Sequence, residues 1–271
     1  MNSAYEGDIN PPIKLHLTDD QANALADIAS FEFTEGNHTV VVDAKNERLA
    51  LSLKELEKIR IESVAIGGDA LANGLTVELG DTDLHSAITG ALGDAGNAQL
   101  MTGFTGGGQV ALEMDADRFT ANLDNLGSGD AAILQARGIT DINLTVADLD
   151  TLVDDAGNAV GAYNQVATGA DLLADRNIAL QLDLGQAGVD TNPLHISAAQ
   201  AHTLIADGLT FVAHDNIVMN VDAGTTHLSN SLKDLEKLRV DAVALDPGAS
   251  LTLQLGDTDL HSAITGALGD A

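Results

Sequence analysis

Two aspartates one residue apart, followed two positions later by a histidine, occur twice in this chain: Asp81-Thr82-Asp83 with His85, and Asp257-Thr258-Asp259 with His261. Paired carboxylates on a turn are half of a Ca²⁺ site, because that ion takes about six to eight oxygens at roughly 2.3 to 2.6 Å. Asp115-Ala116-Asp117 repeats the spacing a third time. Asp81, Asp83, Asp257, Asp259, Asp115 and Asp117 are therefore the candidate metal ligands, with Ca²⁺ as the candidate ion. The same residues have a second use that needs no ion. Asp81 or Thr82 would cap the following helix by accepting from the free amides of its first turn, and Asp83 would complement the positive end of its dipole. Asp43 and its counterpart Asp222 hold turn positions of the same kind.

Other chemistry is sparse. The chain has no Cys, which removes disulfides, cysteine zinc sites and a thiol nucleophile. No G-x-S-x-G elbow is present. Gly106-Gly107-Gly108 lacks the Lys and Ser/Thr that follow a phosphate-binding loop, so it reads as a loop or bulge. His16, His195, His85 and His261 read as surface or half-buried packing residues rather than ligands. Lys54 with Lys58, and Lys233 with Lys237, lie four apart among acids and read as a solvated helix face touching an acidic neighbour.

The elements that must position these residues follow one local rule: a short alternating strand, a Ser, Thr or Asp, then apolar residues three and four apart. Ile13 to Leu17 leads through Thr18 into a helix carrying Ala22, Leu25, Ala26 and Ile28. Thr18 with Gln21, Ser52 with Glu55 and Ser197 with Gln200 are capping boxes. Further units are expected at Leu75–Leu79 before a helix over His85–Leu92, and at Gln109–Met114 before a helix to about Asn125. Ile142–Leu144 before a helix through Leu152, and Leu251–Leu255 before another, complete the series. The strands alternate, so one sheet face should be wet. The fold expected is α/β: a strand–helix solenoid with one long, largely parallel sheet under a layer of short helices. Val64–Ile66 against Leu75–Leu79 is the place where an antiparallel hairpin could interrupt it.

The chain is also duplicated. Leu255 to Ala271 repeats Leu79 to Ala95 letter for letter, and residues 12–66 align with 191–245 without a gap at an offset of 179. Three extra residues in the first copy fall in a Gly-containing connection, where repeats tolerate length changes. The division expected is a linker at 1–11, repeat unit 1 at 12–95, a divergent middle unit at 96–190 and repeat unit 2 at 191–271. A chain built this way is expected to be a segment of a longer protein.

Composition sets the class. Hydrophobic residues make up 45% of the 271, enough for a core, but only 3% are aromatic and none is Trp. Leu, Ile, Val and Ala must fill thin, regular layers. The formal net charge is −29, and 31 of the 41 acidic residues are Asp, the residue of caps, turns and calcium loops. Twelve basic residues form no patch, so nucleic acid and anionic membrane surfaces are excluded as partners.

PLHISAAQAHTLIADGLTF, DNIVMNVDAGTTHLSNSLKDLEKLRVDAVAL and ITDINLTVADLDTLV resemble the Ala/Asp/Leu-rich tandem repeats of giant secreted proteins of alphaproteobacteria. Sections rich in L-T-x-x-Q-A-x-x-L and D-x-V-x-V recur in those surface-layer, adhesin and biofilm-matrix proteins, which are exported by type I secretion. The GGxGxDxUx nonapeptide of a calcium-loaded β-roll is absent. The resemblance implies an extracellular, non-catalytic structural or adhesive segment at the cell surface or in a matrix. Its partners would be neighbouring repeats of the parent protein and, through solenoid ends, further copies in filaments or arrays. The alternative is a carbohydrate-binding or polysaccharide-modifying solenoid module, for which two Tyr and five Phe are a thin supply of sugar platforms.

Overall fold

A computed structural model describes residues 13–34, 38–93, 101–185, 193–213, 215–223, 225–247 and 250–256. Asp257, Asp259 and His261 lie outside them. Unit 1 contains β1 (Ile13–Thr18), α1 (Asp19–Ala26), β2 (His38–Ala44), α2 (Leu53–Lys58), β3 (Ser63–Ile66), α3 (Gly68–Asn73), β4 (Leu75–Glu78) and α4 (Leu84–Thr89). The middle stretch adds β5 (Gly103–Thr105), β6 (Val110–Asp115), α5 (Ala116–Thr120), α6 (Ser128–Ala136), β7 (Asp141–Thr145), α7 (Tyr163–Ala174) and β8 (Ala179–Asp183). The remainder is β9 (Leu194–Ser197), α8 (Ala198–Ala206), β10 (Thr210–Phe211), β11 (Ile217–Val221), α9 (Leu232–Leu238) and β12 (Ala242–Leu245).

This is a mixed α/β fold of parallel sheets and short helices. The strand orders are β1-β2-β3-β5, β10-β8-β7-β6-β4 and β12-β11-β9, and each of these pairings is parallel. One long sheet was expected; three are found among the described residues. At α3 the chain leaves the first sheet after β3 and enters the second at β4, and β5 then returns to the first. Val64–Ile66 and Leu75–Glu78 therefore stand in different sheets and form no hairpin.

Capping chemistry starts the helices where the sequence places it. Thr18, Ser52 and Ser197 each accept from the amide three residues on, and the Gln or Glu at that position returns to the cap amide. Ser231 with Asp234 forms a fourth box. Two helices stop short. α5 ends at Thr120 because Asn122 takes a left-handed φ of 58°, and a separate 3-10 turn follows at Leu123–Asn125. After β7, Asp148 bonds the amide only two residues on, which sets a 3-10 turn at Leu149–Thr151 instead of a helix through Leu152.

The 179-residue offset carries structure with it. β1, α1, β2, α2 and β3 correspond to β9, α8, β11, α9 and β12. The Arg48–Thr76 bridge recurs as His227–Thr252, although Leu251–Leu255 holds only that bridge and not a full strand. Gly80 and Gly256 share a left-handed φ, of 73° and 76°, and in each a Cβ would strike the hydroxyl of the capping serine, Ser52 or Ser231. The extra residues of the first copy form α3 rather than a loop. One continuous apolar core joins the described elements, filled by Leu, Ile and Val with the aromatic rings of Phe119, Tyr163 and Phe211.

Candidate functional site

The wet face expected of every sheet is not wet at β7 and β8. The register aligns Glu78, Glu113, Asn143 and Gln181 in one row across β4, β6, β7 and β8, with Thr76, Ala111 and Asp141 in the next row on that face. Asp141, Asn143, Gln181 and Asp183 are all buried. Arg239, at the end of α9 with a left-handed φ of 66°, reaches Gln181 in that row, and Val212 and Ala213 stand beside it.

The result is a polar pocket of about 130 Å³ between the three parts of the chain, with Thr76, Gln109, Asp141, Asn143, Gln181 and Arg239 among its walls. Asp141 Oδ1 accepts from Gln181 Nε2 at 2.6 Å, and its Oδ2 accepts from Thr140 Oγ1 at 2.6 Å. Arg239 Nη1 donates to Gln181 Oε1 at 2.9 Å and to the Phe211 carbonyl at 2.7 Å. Beside the pocket, Arg48 holds Glu113 in a two-pronged pair with both bonds at 2.6 Å. Asn143 Oδ1 is buried with no partner. A buried acceptor without a donor is costly, so a hydroxyl or amine group brought there would be favoured. The pocket balances one carboxylate against one guanidinium, which suits a small, neutral, hydroxyl-rich ligand. Both Asp141 oxygens already hold donors, and among the described residues the wall carries no Ser, Cys, Lys or His.

The acidic turns fall elsewhere. Asp83 is the N-cap of α4: it accepts from the Ser86 amide at 2.8 Å, the Ser86 hydroxyl at 2.9 Å, Asn122 Nδ2 at 3.0 Å and Thr82 Oγ1 at 3.2 Å. Burial raises its pKa, but these donors together outweigh that and hold it below the usual carboxylate value. Asp81 Oδ1 lies 3.2 Å from Lys54 Nζ, which also reaches Glu57 at 2.7 Å, so this lysine serves acids of its own unit. Asp81 Oδ2 and His85 Nδ1, in the same turn, are buried without partners. Asp115 caps α5 through the Arg118 amide at 2.7 Å, and Asp117 lies in the first turn of that helix. Among the described residues, no group of three or more His, Asp or Glu side chains converges in the manner of a metal site. His16 Nδ1 sits 2.9 Å from Asp43 Oδ1, and His195 Nδ1 sits 3.0 Å from Asn220 Oδ1.

The sequence reading missed the pocket because Asp141, Asn143 and Gln181 alternate with apolar residues, the pattern of a solvent-facing row. The available signal was their type: Asn and Gln where an exposed strand would favour Thr, Lys or Glu.

No protein-family model and no curated protein matches the chain. Among solved structures it is similar to a xylose isomerase domain protein from Planctomyces limnophilus, at 14% identity over 86% of this chain and 72% of that one, with a TM-score of 0.20. A likeness of that size implies no shared activity.

Proposed function

We propose that the chain is a non-catalytic structural or adhesive segment of a large extracellular bacterial surface or matrix protein, a strand–helix solenoid that lengthens by adding units. The observation that supports this best is the rebuilding of β1-α1-β2-α2-β3 as β9-α8-β11-α9-β12, each set pairing its three strands in parallel. The extracellular assignment rests on the acidic, cysteine-free composition and on the resemblance to secreted repeats. A panel of acidic and neutral polysaccharides incubated with the protein and read for new reducing ends tests the reading. No turnover is expected. Turnover abolished by Asp141→Asn would overturn it.

A second reading, carbohydrate recognition, is favoured by the unpartnered Asn143 Oδ1 in its polar pocket. Saturable binding of a monosaccharide or polyol, lost in Asn143→Leu, would establish it alongside the structural role. Calcium stiffening remains part of the proposal, and among the described residues the turn with the unpartnered Asp81 Oδ2 is the place that supports it, since Ca²⁺ takes oxygen ligands. Calorimetry on chelator-stripped protein tests it: saturable heat with a raised Tm is the expected result, and a flat titration removes the ion.

A further inference from the structure

Each end of the duplicated unit meets a neighbour in one copy and meets none in the other, among the described residues. The N-terminal face is seen occupied in unit 2. There the segment after β7 covers α8: Gln200 Nε2 donates to Asp150 Oδ1 at 2.8 Å and to the Val153 carbonyl at 2.9 Å. Ser197 Oγ donates to the Asp155 carbonyl at 2.8 Å, and Thr203 Oγ1 donates to the Gly157 carbonyl at 2.7 Å. Tyr163 from α7 donates to Asp207 at 2.7 Å, and β10 pairs with β8.

In unit 1 no described residue takes the place of that segment. Gln21 corresponds to Gln200, yet Gln21 is exposed while Gln200 is 2% exposed. Leu25 is half-buried where Leu204 is fully buried, and Phe31 and Glu32 form no strand where Thr210 and Phe211 do. Ile13, Leu15 and Ile28 are 72%, 40% and 52% exposed, an apolar fringe along β1 and the end of α1.

We infer that the outer face of β1 and α1 is a docking surface for a protein segment of the design found at Asp148–Asp183, a turn, helix and strand that places backbone carbonyls over Gln21 and a strand beside Phe31. The inference rests on reading the chain as a repeat array, and it names the neighbour that array requires. A second copy of this chain cannot supply the segment from its own middle stretch, which already covers its own α8. The two faces also differ in chemistry. Ile28 stands where Asp207 accepts the Tyr163 hydroxyl, and Ala24 stands where Thr203 donates. The natural neighbour of unit 1 therefore carries an apolar side chain at the place of Tyr163.

The test is hydrogen exchange on the full chain and on the full chain extended by a further copy of residues 96–190 placed ahead of residue 12. The extension is expected to slow the amides of Leu25 and Ala26 by about tenfold or more, toward those of Leu204 and Ile205. In the extended chain, Ala24→Thr with Ile28→Asp restores the two missing hydrogen bonds to a Tyr163-type helix and should raise the Tm, with no rise in the unextended chain. Unchanged α1 exchange together with equal Tm shifts in both chains would overturn the inference. Protection of α1 that grows with concentration in the unextended chain would also overturn it, by making a second copy the occupant. These readings do not depend on the chain being non-catalytic or extracellular, so they can fail while that proposal stands.

Discussion

Asp83 shows how one carboxylate fixes a local structure. It supplies the acceptor for the first turn of α4 and draws Asn122 in from the segment after α5, so its removal uncaps the helix and orphans a distant amide. Asp83→Ala should lower unfolding stability by about 1 to 2 kcal/mol, as N-cap losses do, measured by urea denaturation. The pH dependence has a definite sign. A carboxylate whose folded pKa lies below its unfolded value near 3.8 contributes its full stability above that value and loses it as pH falls through the lower folded one. Acid unfolding of the wild type should therefore steepen below about pH 4, and Asp83→Asn should flatten that limb; identical acid profiles would contradict the assignment. Asp234, held low first by the Ser231 hydroxyl, adds to the same limb. Capping at Asp115 was legible in the sequence because a cap depends on a spacing of three residues, whereas the cap expected at Asp81 or Thr82 falls instead on Asp83, whose oxygens reach the Ser86 amide and hydroxyl. The donors from Asn122 to Asp83 and from Arg239 to Gln181 were not, because they depend on contacts 39 and 58 residues apart.

At the scale of elements, close approaches decide where helices lie. Gly169 on α7 faces the Phe119 ring of α5, and a Cβ there would collide with that ring. Gly169→Ala should destabilise by about 1 to 3 kcal/mol through overpacking, with Phe119→Leu partly restoring the loss. An unchanged melting curve for Gly169→Ala would mean that α5 and α7 do not cross this closely. Arg239 at the end of α9 ties unit 2 to β8 and β10. Arg239→Ala leaves Gln181 Oε1 and the Phe211 carbonyl without this donor, so a loss of about 1 to 3 kcal/mol in a thermal melt is expected. Arg239→Lys should restore little, since a single ammonium does not reproduce the planar fork. Strands, caps and the duplication were readable from period and composition. The split into three sheets was not: the same short alternating strand serves equally in one long sheet or in several, and the connections, such as α3 between β3 and β4, decide which strand each one meets. The hairpin expected at Val64–Ile66 failed for that reason.

For the whole molecule, the proposed repeat array would accumulate stability unit by unit, with neighbours rather than a single site setting its properties. Cores of Leu, Ile and Val in thin layers suit this plan, and the buried Asp141, Asn143 and Gln181 sit where three parts of the chain meet. The measurement that tests the plan most directly is small-angle X-ray scattering on the chain and on versions carrying one and two further copies of residues 96–271. A solenoid predicts a maximum dimension that rises by a constant step per copy while the cross-section stays fixed. It also predicts a radius of gyration for the single chain above the ~18 Å expected of a globular protein this long. A globular value for the single chain, or a cross-section that grows or scatters as beads on a flexible string when copies are added, would contradict it.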